Sequence, residues 1–396
     1  MKKTISIIIT ICLIFALMLP AFAASGSGEL RFNSDGKFRI MIFTDVHEGG
    51  TGGGDACLQI MREALDNKKP DLVVFLGDNS IGDTLEEHRA VIEKITAPVR
   101  ERNIPFAAVF GNHDSQSEGV TREALFEIFK EYGCLTEDTE GLYGTGNCNI
   151  PVLSSNGDEI KLNLWFFDSG ADNPDEEEGG YDYIREDQIA WYEETASALA
   201  EKNGGEPVPA LAFQHIPVPE IYDKVFTALP FSLGNATHNY NGRSYSLIPN
   251  FTGYEGILYE GIASPYNKTR ELDAMRSQGD VMAVFSGHDH VNSYKVDLDG
   301  VDWINVPTVH NKEYSNDGLR GAGLITVDEN NSGAYEYELV RACKLCREEG
   351  SKICDMSDST SRFKYFISGT FTDVILTVQK ILNSLKGVFT GTSKIC

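Results

Sequence analysis

Short, continuously apolar segments alternate with amphipathic segments through most of the chain, between residues 39 and 327. The uninterrupted apolar segments are typical of strands that are buried on both faces of a sheet. The segments between them repeat their apolar positions at helical spacing, which predicts helices. Strands are predicted at 38–44, 71–76, 105–110, 162–167, 210–214, 281–286, 293–296 and 303–306, and helices near 57–67, 85–103 and 121–132. This βαβαβ order predicts an α/β fold with helices on both faces of the sheet.

The N-terminus has the pattern of a signal peptide, predicted at residues 1–23. Lys2 and Lys3 precede an apolar run, and Ala21-Phe22-Ala23 supplies the small residues that signal peptidase requires. A membrane anchor is the alternative, but the apolar run is shorter than the roughly 20 residues of a transmembrane helix. We therefore expect export, with a secreted or cell-surface mature chain that begins near Ala24.

The mature chain is predicted to form one domain, 24–341, and a cysteine-containing C-terminal tail, 342–396. Apolar positions in the tail recur at helical spacing, which predicts an amphipathic helix. Two interpretations are open. In the favoured one, the helix docks on the domain or on a second copy of the chain. In the other, it contacts a membrane. The apolar positions are Phe371, Val374, Ile375, Val378, Ile381, Leu382, Leu385, Val388 and Phe389.

The net charge of the 396-residue chain, −25, changes the list of possible partners. Binding to a nucleic-acid backbone requires a basic surface, so we expect no nucleic-acid partner. A phosphorylated substrate is not excluded, because bound divalent cations reverse the local potential in an acidic protein.

The cysteines also carry information about chemistry. Seven of the eight cysteines remain after the loss of Cys12 with the signal peptide, so at least one stays unpaired or bonds between chains. Cys343 and Cys346, with Cys354 and Cys396, could form a zinc site. Disulfide bonds are favoured because the chain is expected to be exported.

Five polar motifs follow predicted strands, and they contain five of the eight histidines. Loops at the carboxyl ends of parallel strands converge on one edge of a sheet, where α/β folds bind their ligands. Histidines outside the motifs, at 88, 238 and 310, are interpreted as structural. The motifs are Thr44-Asp45-Val46-His47, Gly77-Asp78-Asn79, Gly111-Asn112-His113-Asp114, Gln214-His215-Ile216-Pro217 and Gly287-His288-Asp289-His290.

These residue types suit a centre with two metal ions. Two cations about 3.5–4 Å apart need a bridging carboxylate, and together they turn a shared water into a hydroxide nucleophile that attacks a phosphate ester. Carboxylate oxygen and neutral imidazole are ligands for divalent or transition metals such as Mn, Fe or Zn. Asp45 and His47, two residues apart, are expected on the same side of the first strand end.

Taken together and in this order, the motifs resemble the signature of the calcineurin-like metallophosphoesterase superfamily, over about residues 38–306. The residues within and beside the motifs are similar to those of the short, "probably inactive" plant-type purple acid phosphatase homologues and of a related fungal phosphatase branch. The additional segments that carry this similarity are Phe167-Asp168-Ser169-Gly170, Phe213 to Glu220, and Val291-Asn292. The resemblance implies a four-layered α-β-β-α sandwich with a C-terminal helical appendage.

The resemblance also implies a role for each motif residue. His113 would hold the phosphate or protonate the leaving oxygen, Asp114 would orient His113, and Asn79 would contact the phosphate. Asp78 would bridge the two metals. The other ligands would be Asp45, His47 and His290 for the first metal and Asn112, His215 and His288 for the second.

One position departs from the purple acid phosphatases. Ile81 stands where they have the tyrosine that binds ferric iron, so we expect no purple colour. The function implied is hydrolysis of phosphate mono- or diesters, on a small molecule or a phosphorylated macromolecule. In this superfamily the loops above the metals determine specificity, and here they would lie at 231–266. This stretch could stack on a nucleoside or sugar, or it could be a glycine-rich surface loop. The alternative is a catalytically weak surface binding protein that retains the metal fold.

Overall fold

The computed structural model describes residues 29–49, 55–175, 177, 179–227, 237–240, 243–247, 254–310, 314–353 and 359–390. The predicted signal peptide lies outside these residues, as do Cys354, Cys396 and the side chain of His238. The boundaries expected for the signal peptide and the tail therefore stay predictions. None of the helices in the described part of the chain has the length and hydropathy that a membrane span requires.

The strands form two large sheets and two small ones. The strands are β1 (Leu30–Arg31), β2 (Lys37–Phe43), β3 (Glu48–Gly49), β4 (Leu72–Leu76), β5 (Ser80–Ile81), β6 (Phe106–Val109), β7 (Cys148–Leu153), β8 (Ile160–Phe166), β9 (Ala210–Phe213), β10 (Phe226–Thr227), β11 (Thr237–Tyr240), β12 (Arg243–Leu247), β13 (Tyr254–Ile257), β14 (Val281–Ser286), β15 (Ser293–Asp297), β16 (Asp302–Asn305), β17 (Gly321–Asp328) and β18 (Tyr335–Arg341).

The helices lie mostly between the strands in the chain. They are α1 (Asp55–Lys68), α2 (Leu85–Arg100), α3 (Arg122–Glu131), α4 (Glu186–Lys202), α5 (Ile221–Val225), α6 (Glu271–Gln278), α7 (Ala342–Leu345) and α8 (Ser359–Thr390), with one 3₁₀ turn at Glu329–Asn331.

The order of strands brings the polar motifs to one edge. In the five-stranded sheet, β18-β17-β2-β4-β6, the three strands that precede the first motifs are parallel. In the eight-stranded sheet, β1-β7-β8-β9-β14-β16-β15-β13, strands β8, β9, β14 and β16 are parallel. Small sheets of β10-β12-β11 and β3-β5 complete the topology. The carboxyl ends of the central strands therefore carry all five motifs.

The two large sheets pack face to face, with helices outside each. Ile40 and Ile42 of β2 point into the core between the sheets, whereas Met41 and Phe43 pack against α1, α2 and α3. On the other side, α4 and α6 cover the eight-stranded sheet around Trp165. Alternate residues of a strand face opposite sides, so each buried strand contributes to two cores. The predicted four-layered α-β-β-α sandwich is confirmed.

The C-terminal helix docks on the domain, but not through the face that its sequence pattern suggests. Tyr365 and Thr372 are buried against the domain, whereas Phe371, Val374 and Val378 are exposed. The side chains of Leu382, Leu385, Val388 and Phe389 lie outside the described part of the chain. For Phe371, Val374, Val378 and Ile381, the expectation of a docking contact is corrected, because these side chains are exposed. Polar residues make the contacts instead: Tyr365 bonds to Arg320, Asp373 to Arg341 and Gln379 to Gly256.

The cysteines do not form the tail zinc site. Cys343 is a buried free thiol, and Cys346 is disulfide-bonded. A structural zinc site needs both residues of the pair as thiolate ligands. Among the described cysteines the disulfide interpretation holds for Cys346 alone, because Cys57, Cys134, Cys148 and Cys343 are buried free thiols.

A buried acid makes the stability of the fold dependent on pH. Glu271, at the start of α6, is buried, and one of its carboxylate oxygens has no hydrogen-bond partner among the described residues. Burial, assisted by the Glu220 carboxylate, raises the pKa of Glu271 from 4.5 to about 8. The folded chain therefore holds this proton more tightly than the unfolded chain. The stability it contributes is complete below pH 4.5 and is lost as the pH rises through about 8.

We expect Glu271→Gln to unfold at a higher temperature than the wild type above pH 8, because the amide cannot ionise. The difference should shrink as the pH falls to 4.5. Thermal unfolding of both proteins across this range measures the effect. The exposed Glu127 provides the control, since Glu127→Gln should follow the wild-type curve. If the unfolding temperatures of Glu271→Gln and the wild type differ by the same amount at every pH, the buried-acid explanation is wrong.

Candidate metal centre

Six side chains from four loops converge at the shared edge of the two sheets, and Asn112 stands on a fifth loop at the same edge. The loop after β2 supplies Asp45 and His47, the loop after β4 supplies Asp78, and the loop after β6 supplies Asn112. The loop after β9 supplies His215, and the loop after β14 supplies His288 and His290. Potential ligand atoms form two groups, each within 4.8 Å: Asp45, His47, Asp78 and His290 in one, and Asp78, His215 and His288 in the other.

The atoms that face the centre of this cluster fit the ligands of a cation. They are buried and have no hydrogen-bond partner among the described residues. Leaving a buried carboxylate or amide oxygen without a partner costs about 1–3 kcal/mol, and a charged group costs more. A bound cation would satisfy all of them together. These atoms are Asp45 Oδ1, His47 Nε2, Asp78 Oδ2, Asn112 Oδ1, His215 Nε2 and His288 Nε2.

Asp78 occupies the central position. Its Oδ2 lies 3.2 Å from His215 Nε2 and 3.5 Å from His47 Nε2, so this one oxygen belongs to both ligand groups. Its Oδ1 accepts a hydrogen bond of 2.7 Å from the backbone N–H of His113. A carboxylate with one oxygen fixed by the backbone and one facing two ligand groups suits a bridge between cations.

Hydrogen bonds outside the cluster orient the ligands. His215 Nδ1 lies 2.8 Å from the Leu76 carbonyl, and His290 Nδ1 lies 3.2 Å from the Tyr314 carbonyl. Each Nδ1–H therefore donates outwards and leaves Nε2 to face the centre. Asp45 Oδ2 accepts from the Thr44 hydroxyl at 2.8 Å, which leaves Oδ1 for a cation.

Interactions between opposite charges, together with burial, shift the pKa values of the side chains in the cluster. Although burial acts in the opposite direction, the His290 and His215 imidazoles lower the pKa of Asp45 to about 2. Against its own burial, His215 has its pKa raised to about 9 by Asp78. Burial, with the charge on His215, lowers the pKa of His288 to about 3. The two carboxylates therefore favour positive charge beside them, which bound cations would supply.

The backbone at the ligands is strained. Asp45, His47, Asp78 and His288 have φ values of 49°, 42°, 51° and 71°, in the left-handed region that side chains disfavour. Such conformations cost of the order of 1–3 kcal/mol each and concentrate at functional sites. Asp45 and His47 therefore reach the centre through left-handed turns beyond the strand, and the expected strand alternation does not apply.

Gly111 permits a close approach between two of the loops. A Cβ atom at this position would overlap Asp78 Oδ1 and the Asp78 backbone nitrogen. Its φ is not positive, so space and not conformational freedom requires glycine here.

Two residues have positions different from those expected for substrate handling. Asp114 is fully buried, and its oxygens accept backbone N–H groups of Asn79, Ser80 and Gly111 at 2.8, 3.0 and 2.9 Å. Asn79 is also fully buried and donates through Nδ2 to the Val109 carbonyl at 3.0 Å. The roles expected for Asp114 as orienter of His113 and for Asn79 as phosphate contact are corrected: both residues hold two ligand loops together.

His113 lies where a substrate could reach it. It is exposed, lines a cavity of about 380 Å³ together with Asp78 and His288, and its ring centroid lies 5.3 Å from that of His47. Its Nδ1 pairs with Gln116 Oε1 at 2.8 Å. The residue that orients the His113 ring is therefore Gln116.

Several cavity residues were not among the candidates. Tyr314 stacks on His290 with centroids 4.4 Å apart, and Tyr181 meets His288 edge-on at 4.4 Å. His310, interpreted as structural, has its ring centroid 6.2 Å from that of His47. Glu260 lines the cavity and lies in the 231–266 segment that was expected there. The tyrosines belong to no motif, so the sequence carried no local signal for them.

Known proteins are similar to this chain over most of its length. A family model described as calcineurin-like phosphoesterase matches residues 38–292. "Probable inactive purple acid phosphatase 29" of Arabidopsis thaliana is 27% identical over 86% of this chain and 89% of that protein. Phosphatase DCR2 of Saccharomyces cerevisiae is 30% identical over 68% of this chain and 47% of that protein. A solved dimetal phosphatase from Danio rerio is 15% identical, covers 74% of this chain and 92% of its own, and has a TM-score of 0.48.

We expect Gly111→Ala to lose bound metal, because the new methyl group would displace the Asp78 carboxylate. Elemental analysis of purified protein measures the metal content per chain, and circular dichroism checks the fold. Gly333→Ala is the matched control, since a Cβ there meets no atom within 4 Å. Wild-type metal content in a folded Gly111→Ala variant would show that Asp78 is not a ligand.

Proposed function

Because this chain belongs to the calcineurin-like phosphoesterase family, we propose that it hydrolyses phosphate mono- or diesters with two metal ions. The observation that carries the proposal is the position of Asp78 Oδ2, which belongs to two ligand groups at once. A single-metal centre would not need this shared oxygen. Two cations that share a carboxylate are suited to phosphate ester hydrolysis.

The ligand atoms divide between the two proposed ions. Asp45, His47 and His290 would hold the first, His215, His288 and Asn112 would hold the second, and Asp78 would contact both. Carboxylate, amide and imidazole donors favour Mn, Fe or Zn. When bound, such cations activate a water nucleophile and neutralise charge on the phosphate.

The chain itself supplies orientation and a proton donor. The Gln116 bond at Nδ1 fixes the His113 ring and leaves Nε2 as the nitrogen available to a phosphate oxygen or to the leaving group. Tyr181 and Tyr314 form walls of the cavity against ligand imidazoles, which keeps those rings in place.

The second candidate is a binding protein that retains the metal fold with weak catalysis. Ile81 lines the cavity, so no phenolate is supplied at this position, and the Arabidopsis relative carries "Probable inactive" in its name. We rank it second because six of the expected ligand side chains form the two ligand groups, and the Asn112 amide oxygen is buried without a hydrogen-bond partner among the described residues.

The N-terminal pattern and the net charge of the chain narrow the class of substrate. We propose an extracytoplasmic phosphate ester, either a small molecule or a phosphorylated macromolecule, because the N-terminus has the pattern of an export signal. A net charge of −25 disfavours nucleic acid, whose backbone a protein with this charge would repel.

We expect the purified chain to contain about two metal ions, as proposed from the bridging position of Asp78. Hydrolysis of a nitrophenyl phosphate should stop after chelation and return when Mn, Fe or Zn is added. Elemental analysis and a colorimetric assay measure the two quantities on one sample. Two ions without turnover of mono- or diesters at any pH would favour the binding protein, and absence of metal would overturn the centre itself.

We expect His113→Asn to lower kcat by about 10²–10⁴-fold while metal content stays at the wild-type level, because the variant loses a proton donor but no ligand. Steady-state kinetics and elemental analysis measure both. Glu118→Gln, an exposed change in the same loop, is the control and should keep wild-type kcat. Unchanged turnover in His113→Asn would remove His113 from the mechanism.

A further inference from the structure

The faces of α8 are reversed relative to an ordinary docked helix. Six large apolar side chains on its outer face, here called the α8 stripe, are 49–62% exposed. From Ile367 onwards the stripe runs along the helix at intervals of three and four residues, so it forms one continuous surface. Its members are Phe366, Ile367, Phe371, Val374, Val378 and Ile381.

The opposite face holds the helix on the domain by polar contacts. Gln379 Oε1 accepts from the backbone N–H of Gly256 at 3.2 Å, and Tyr365 Oη bonds to Arg320 Nη1 at 2.6 Å. Asp373 forms ion pairs with both Arg341 and Lys344. Specific bonds thus fix the orientation of α8 and hold the stripe away from the domain core.

The charge of the C-terminal segment differs from that of the rest of the chain. The chain has a net charge of −25, yet residues 359–396 contain a single acidic residue, Asp373, which is paired with domain residues. At the N-terminal end of the stripe, the Arg347 guanidinium lies 5.2 Å from the centre of the Phe366 ring. The basic residues of this segment are Arg362, Lys364, Lys380, Lys386 and Lys394.

We infer that the α8 stripe lies on an anionic phospholipid surface. An amphipathic helix with an apolar face and surrounding basic residues binds in the plane of such a surface by inserting the apolar side chains among the headgroups. Basic residues close to the surface add attraction to anionic lipids.

A second copy of this chain fits the same face less well. Pairing two α8 stripes would bring two basic segments together, with repulsion between them. Anionic headgroups instead present the opposite charge along the whole helix, which at 1.5 Å per residue is about 48 Å long. Charge complementarity therefore favours the lipid surface.

The test uses the full mature chain with vesicles of phosphatidylcholine, alone or mixed with phosphatidylglycerol. We expect co-sedimentation with the mixed vesicles, several-fold weaker binding to phosphatidylcholine alone, and release by added salt. The double variant Phe371→Ser, Val378→Ser should lose at least about tenfold in affinity, because two exposed apolar side chains no longer insert. Circular dichroism checks that the variant is folded.

Thr377→Ser, an exposed change on the same helix, is the control and should bind vesicles as the wild type does. Equal binding of the double variant and the wild type would overturn the inference. Failure of the wild type to bind either kind of vesicle would also overturn it. In that case, a dimer of the wild type in analytical ultracentrifugation, together with a monomer of the double variant, would identify a second copy of the chain as the occupant. The inference does not depend on phosphoesterase activity, so loss of turnover in any variant leaves this test unaffected.

Discussion

The burial of two carboxylates away from the protein surface is the constraint on which the rest of the structure depends. Asp45 and Asp78 are fully or almost fully buried, and each keeps one oxygen for the centre while the other is bonded to neighbouring loops. An uncompensated buried charge costs several kcal/mol, so the site is stable only with positive charge beside these oxygens. Imidazoles from two other loops and from the Asp45 loop itself stand there, and cations would complete the neutralisation. The left-handed backbone at the ligands is a local energetic cost of this convergence. The absence of a Cβ at Gly111 leaves the space that the Asp78 carboxylate occupies.

The fold and the convergence of the candidate ligands could be predicted from sequence because both depend on the arrangement of parallel strands. Continuous apolar runs such as Leu72–Leu76 identify buried parallel strands, and the carboxyl ends of parallel strands meet at one edge. A polar motif after each run therefore places its side chains in one region, although Asp45 and His288 are 243 residues apart. The family match over 38–292 confirms the resemblance that was drawn from these motifs.

Other features depend on directions that a motif does not encode. Asp114 follows His113 in sequence, yet the turn after β6 points its carboxylate towards the backbone of the β4 loop and away from the imidazole. Tyr314 and Tyr181 reach the cavity from segments outside every motif, so only the tertiary structure brings them to the ligand histidines. The periodicity of α8 predicted an amphipathic helix correctly but could not say which face docks. Polar contacts with Arg320, Arg341 and Gly256 decide that choice.

Arg320 joins the helix to the metal centre. Its guanidinium is buried and donates to Tyr365 of α8, to the His310 carbonyl at 2.7 Å and to Ser315 Oγ at 2.6 Å. Ser315 directly follows Tyr314, whose ring stacks on His290 and whose carbonyl pairs with that ligand. The segment at the cavity wall is therefore held by a metal-ligand histidine on one side and by α8 on the other. Because the polar face of α8 makes this connection, the apolar face can contact an external surface without disturbing the ligands. The reversed orientation of α8 thus separates the surface that we infer to contact lipid from the contacts that position the site.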